Sequence, residues 1–131
     1  MSTFFLFAVS ECKVKVDIAF LVDSSGSIRR SNWRKMKIFL QAVVDQFDVG
    51  EEWAHIALIP YSTNPKVVLR FNDLKGPALT AEAVKSKIAA MRQQYGLTFI
   101  DKALRRAQES VFLEYYGMRP KVSKVSFVLQ A

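Results

Sequence analysis

Val16-Asp17-Ile18-Ala19-Phe20-Leu21-Val22-Asp23-Ser24-Ser25-Gly26-Ser27-Ile28 is the stretch whose reading decides the fold. Between Val16 and Val22 only Asp17 interrupts an apolar run, the pattern of a strand buried on both faces in a parallel sheet. The run stops at Asp23, which places that carboxylate at the carboxyl end of a strand. In open parallel sheets, ligands bind outside those ends, where the strand order reverses. Asp23, Ser25 and Ser27 offer only oxygen donors, and an extended, turning segment at alternate spacing can aim all three at one centre. Such donors suit magnesium, manganese or calcium rather than zinc, and Gly26 lets the backbone turn between the two serines. Alone, Asp-x-Ser-x-Ser is short and common, and equally describes a strand-end turn with self-capping hydroxyls.

Outward from this stretch, Ser31 is expected to cap a helix running to Phe47, because Trp33, Met36, Leu40, Val43 and Phe47 recur at spacings of three and four. Ala54 to Tyr61 and Lys66 to Phe71 read as two strands joined through Ser62-Thr63-Asn64-Pro65 in a hairpin. Thr80 opens a second helix with Val84, Ile88 and Met91 on its apolar side, ending near Gly96, where glycine permits left-handed geometry. A third helix spans roughly Ile100 to Tyr115, with Ala103, Leu104, Ala107, Val111 and Tyr115 on one side and Gly117 and Pro120 ending it. Val125 to Leu129 forms a last strand. The order strand, helix, two strands, two helices, strand is that of an open, doubly wound α/β sheet with helices on both faces.

With these residues in view, Val16 to Ile28 closely resembles the opening of von Willebrand factor type A domains, above all those of matrilins and matrix collagens. The resemblance extends to Phe39–Phe47 with Val49-Gly50, to Ile56-Ala57-Leu58-Ile59-Pro60-Tyr61-Ser62, to Gly96-Leu97-Thr98 with Ala103-Leu104, and to residues 120–129. It implies a Rossmann-like fold and a metal-ion-dependent adhesion site. Asp23, Ser25 and Ser27 would come from the first loop and Thr98 from the second, holding Mg2+ or Mn2+ through which an acidic group on a partner protein is recognised.

Departures from the family pattern qualify this. The family usually continues Thr-Asp-Gly after its fourth strand, and counting from Lys124-Val125 puts Gln130 and Ala131 at the threonine and aspartate. Ile100 and Asp101 stand where a family threonine and glycine belong. The expectation is a C-terminally truncated domain over 15–131 with about four of six strands, preceded by an extension over 1–14, and a weakened ion site. Its fourth strand would be left as an exposed apolar edge, a liability for association.

The 131 residues are half apolar and contain five glycines and four prolines, enough for one core and without a low-complexity tract. The sole cysteine, Cys12, excludes an internal disulfide and a cysteine-cluster metal site. No apolar run approaches the ~18 residues needed to span a bilayer. Phe4 to Val9 is faintly like the end of a signal peptide but lacks a basic n-region. The family resemblance implies a secreted or extracellular-matrix location. A net charge of +7 favours polyanions. Arg29, Arg30, Arg34, Lys35 and Lys37 cluster within nine positions, so metal-independent binding of glycosaminoglycan stands as an alternative to a solvated helix face. Nucleic acid is not expected as a partner, and no membrane span is expected. Catalysis is not expected either: His55 lies inside a strand, and no nucleophile elbow, cysteine-histidine pair or phosphate-binding loop is present.

Overall fold

The computed structural model describes residues 13–130. Three parallel strands form its sheet, β1 (Val16–Asp23), β2 (Ala54–Tyr61) and β3 (Ser123–Leu129), in the order β2-β1-β3. β1 pairs on one side from Val16↔Ala54 to Asp23↔Tyr61, and on the other from Val16↔Ser123 to Val22↔Leu129. A central parallel strand has no solvent face, and all eight residues of β1 are buried.

Alternation along the strands divides the interior into two layers. On one face Val16, Ile18, Phe20 and Val22 of β1 pack with Trp33, Leu40 and Val44 of α1 (Arg30–Val44) and with Val84 and Ile88 of α2 (Ala81–Ala90). On the other, Ala19 and Leu21 join Ala57, Ile59 and Tyr61 of β2 against Ala103 and Ala107 of α3 (Ile100–Ser110). The small residues at 19, 57, 103 and 107 let α3 approach the sheet closely. Helices therefore cover both faces, as the element order implies.

Four expectations are corrected. Ser31 is not a cap: α1 begins at Arg30 after an extended Arg29, and no side chain caps it. Residues 66–71 do not form a strand. They run back along β2 with hydrogen bonds from Leu58 N to Leu69 O (2.9 Å) and Lys66 N to Pro60 O (2.8 Å), and with isolated bridges only. Pro60, two residues from Leu58, has no N–H to extend that outer ladder. The sheet among the described residues thus has three strands, not four. α2 ends at Ala90, because Met91 turns extended, although Gly96 beyond it does adopt φ +85°. α3 stops at Ser110; a separate 3-10 turn follows at Glu114–Tyr116, closed by left-handed Gly117, and leaves Leu104 and Tyr115 exposed. The N-terminal segment through Cys12 and the Ala131 position lie outside the described residues.

Candidate functional site

Asp23 closes β1 and Tyr61 closes β2, and the loops that leave these two strand ends meet a third segment, 93–99, that leads into α3. Backbone hydrogen bonds join the first and third: Gly26 N donates to Gly96 O at 2.9 Å, and Tyr95 N to Ser24 O at 2.8 Å. From the β2 side, Ser24 N and Ser24 Oγ both donate to Tyr61 O, while Phe99 N donates to Ser62 O.

Glycine is required at one of these crossings by geometry. Gly96 is left-handed, and a Cβ there would lie 2.7 Å from Thr63 Oγ1, the atom that accepts from Leu97 N. Gly26 lies in the turn expected between the two serines, closed by Ile28 N donating to Ser25 O at 3.3 Å, but its backbone is not left-handed and a Cβ there would make only an ordinary contact, 3.4 Å from Gly96 N.

Inside this frame Asp23 is almost wholly buried, and its Oδ1 accepts from Ser25 N at 2.9 Å. The Oγ atoms of Ser25 and Ser27 stand 3.2 Å apart, Ser25 buried and Ser27 exposed. A buried carboxylate is costly unless a positive charge answers it, and no basic side chain forms an ion pair with Asp23 among the described residues. The donor set is all oxygen, with one carboxylate beneath two hydroxyls, which suits a hard divalent cation. Thr98 lies exposed on the third segment, brought to the same end of the sheet by the Gly26–Gly96 and Phe99–Ser62 contacts. Asp101 is on the first turn of α3 and exposed. Among the described residues no three His, Cys, Asp or Glu side chains converge; the donors gathered here are chiefly hydroxyls.

Sequence reasoning passed over the residues that hold the loops together. Gln93 Nε2 donates to Ser25 O (3.0 Å) and Ile28 O (2.7 Å), and Gln94 Nε2 to Pro60 O (2.9 Å). Two consecutive glutamines between a helix end and a left-handed glycine were the available signal. Tyr61 is fully buried, and its hydroxyl lacks a well-formed hydrogen bond among the described residues. Burial pushes its pKa up, the Asp23 charge adds to this, and the Gln130 side chain works against it.

Of the basic cluster, Arg29, Arg30, Arg34 and Lys35 are exposed. Lys37 is drawn away, donating to Ala89 O (2.8 Å) and Met91 O (3.0 Å) at the C-terminal end of α2, and partial burial lowers its pKa. His55 is buried, with Nε2 at 2.9 Å from Glu51 O, far down β2 from these loops. No helix among the described residues is long and apolar enough to cross a membrane.

Comparison with known proteins agrees with the fold. The chain is 32% identical over 117 residues to the collagen alpha-1(XII) chain of Notophthalmus viridescens, a match covering 89% of this chain and 12% of that one. It is 34% identical over 114 residues to matrilin-3 of Gallus gallus, covering 86% and 24%. The chain thus spans less than a quarter of the length of these relatives. Proximal thread matrix protein 1 from the mussel byssus, solved with a zinc-occupied MIDAS motif, superposes with a TM-score of 0.82 at 27% identity, over 92% of this chain and 32% of that one. With residues 17–131 matching the von Willebrand factor type A domain, the chain belongs to that family.

Proposed function

We propose that the chain is a non-enzymatic, extracellular binding module whose first and second loops hold Mg2+ or Mn2+ and recognise an acidic group on a matrix or cell-surface protein. The observation that carries this is a buried Asp23 that forms no ion pair with a basic side chain among the described residues, beside the Ser25 and Ser27 hydroxyls in a loop tied to the segment bearing Thr98. Asp23 would supply the negative charge, Ser25 and Ser27 the hydroxyl donors, and Thr98 a further hydroxyl from the second loop. When bound, the cation supplies an open coordination position for a carboxylate. Gln93 and the Gly26–Gly96 contact keep the donors oriented before the ion arrives, lowering the ordering cost of binding. The similarity to a collagen and a matrilin supports the extracellular assignment. Ala131 at the position where the resemblance expects an aspartate leaves the site with less negative charge, so its affinity is weak.

Isothermal titration with MnCl2 tests this. Weak binding is expected in the wild type and a loss of at least about tenfold, ~1.4 kcal/mol, in Asp23→Ala, with Thr98→Ala also weakened. Equal heats from wild type and Asp23→Ala would overturn the ligand assignment.

The exposed Arg29, Arg30, Arg34 and Lys35 favour a second reading, metal-independent binding of a sulfated polysaccharide. Exposed charge pairs are screened by salt. Binding by this route weakens steeply with ionic strength and ignores EDTA, whereas the ion-bridged route is abolished by EDTA.

A further inference from the structure

On the face of the sheet opposite α1, the outer side of α3 meets the loop that leaves β2. Lys102, Arg105 and Arg106 of α3, with Asn64 and Pro65 of that loop, enclose a hollow of about 210 Å³ that Glu109 borders at one end. The three cations are exposed, and none forms an ion pair among the described residues. Lys102 stands three and four positions before the two arginines, the spacings at which helix side chains are neighbours, so these like charges repel one another. Glu109, at the same spacings beyond the arginines, pairs with neither. Lys102 is steadied from another direction, its Nζ lying 4.9 Å from the centre of the Phe99 ring.

The hollow continues the candidate ion site. Asn64 follows Ser62 and Thr63, whose O and Oγ1 accept from Phe99 N and Leu97 N, the two residues on either side of Thr98. Lys102 is four residues beyond Thr98, so their Cα atoms are at most about 14 Å apart. An extended peptide covers such a span in about four residues.

We infer that this hollow takes a second acidic side chain from the partner, two to four positions along an extended segment from the one that meets the ion. The inference rests on the ion-bridged reading above. Three cations against one carboxylate leave the hollow positive, so an incoming carboxylate relieves the repulsion along α3 and gains charge-assisted hydrogen bonds from the arginines. The Asn64 amide adds an uncharged donor. A sulfated polysaccharide fits less well, because the space suits one anionic group and Glu109 would repel a run of sulfates continuing along the helix.

Biolayer interferometry of the full chain over immobilised peptides, in excess MgCl2, tests this. The probes are glycine-serine peptides bearing two glutamates two, three or four positions apart, each matched to a form whose second glutamate is glutamine. The wild type is expected to bind at least one two-glutamate peptide about fivefold more tightly than its match, an advantage that shrinks as salt is raised. Arg105→Gln with Arg106→Gln removes the advantage. Lys75→Gln with Lys121→Gln, an equal loss of charge at exposed positions outside the hollow, retains it. Equal affinities for matched peptides at every spacing, with EDTA still abolishing binding, would sink the inference and spare the ion site. Binding that ignores EDTA and Asp23→Ala, yet loses its two-glutamate advantage in the arginine variant, would instead sink the ion-bridged reading and uphold the hollow as a carboxylate site. Failure of every peptide to bind refutes the inference, as does a sulfated polysaccharide that binds through Arg105 and Arg106 more tightly than any of the peptides.

Discussion

Asp17 is fully buried in the central strand and is answered by Arg119, whose N and Nε donate to its two oxygens at 2.7 and 2.9 Å. The same guanidinium donates to Trp53 O and Val16 O, so one side chain ties together the starts of β1 and β2 and the approach to β3. Removing one partner of a buried pair strands the other. Arg119→Ala is therefore expected to cost about 3–5 kcal/mol in urea unfolding, more than truncation of exposed Arg106. Tyr61 presents the opposite case, a buried hydroxyl that is poorly satisfied. Its folded pKa is raised, so the stability it contributes is complete below the unfolded value, near 10, and is lost as pH rises through the folded one. Tyr61→Phe should be neutral or slightly stabilising at neutral pH and should flatten the decline above about pH 10. At this scale the sequence was only partly legible. Asp17 reads as a lone polar break in an apolar run, and its partner lies 102 positions away, a distance across which no periodicity reaches.

The elements themselves were most legible where burial alone dictates pattern. β1 and the start of the second helix follow from their residues, the latter capped by Thr80 Oγ1 accepting from Ala83 N. Errors arose where tertiary contacts replace local signals. α1 starts one residue before Ser31 without a side-chain cap, and the ends of α3 and of residues 66–71 are set by a 3-10 turn and by a missing proline donor. The candidate site divides in the same way. Asp23, Ser25 and Ser27 were nominated by a loop motif, and Thr98 by the family resemblance. Gln93, Gln94 and Thr63 were not, because their partners are backbone atoms that only the fold brings near. Gly96 is the element-scale test of that frame. Gly96→Ala forces a Cβ toward Thr63 Oγ1 in a left-handed backbone, at a cost of about 1 kcal/mol or more. Its effect on manganese affinity should exceed its effect on thermal stability, because the strain falls on the loops and not on the two cores.

For the whole molecule, the two apolar layers share one sheet, since β1 and β2 contribute alternate residues to each. Neither layer can be lost while the other persists. Ile88→Ala, in the layer of α1 and α2, and Val111→Ala, in the layer of α3, should each shift one and the same unfolding transition in circular dichroism. The expected cost of Ile88→Ala is roughly 2–5 kcal/mol. The parallel pairing of β1 with β3 bears on one more property. A pull applied at the start of β1 and the end of β3 acts at opposite ends of two neighbouring strands that run the same way. Such a pull slides the strands past one another and strains every hydrogen bond between them at once, where an antiparallel hairpin would unzip one pair at a time. The register from Val16↔Ser123 to Val22↔Leu129 is in that sense a mechanical clamp.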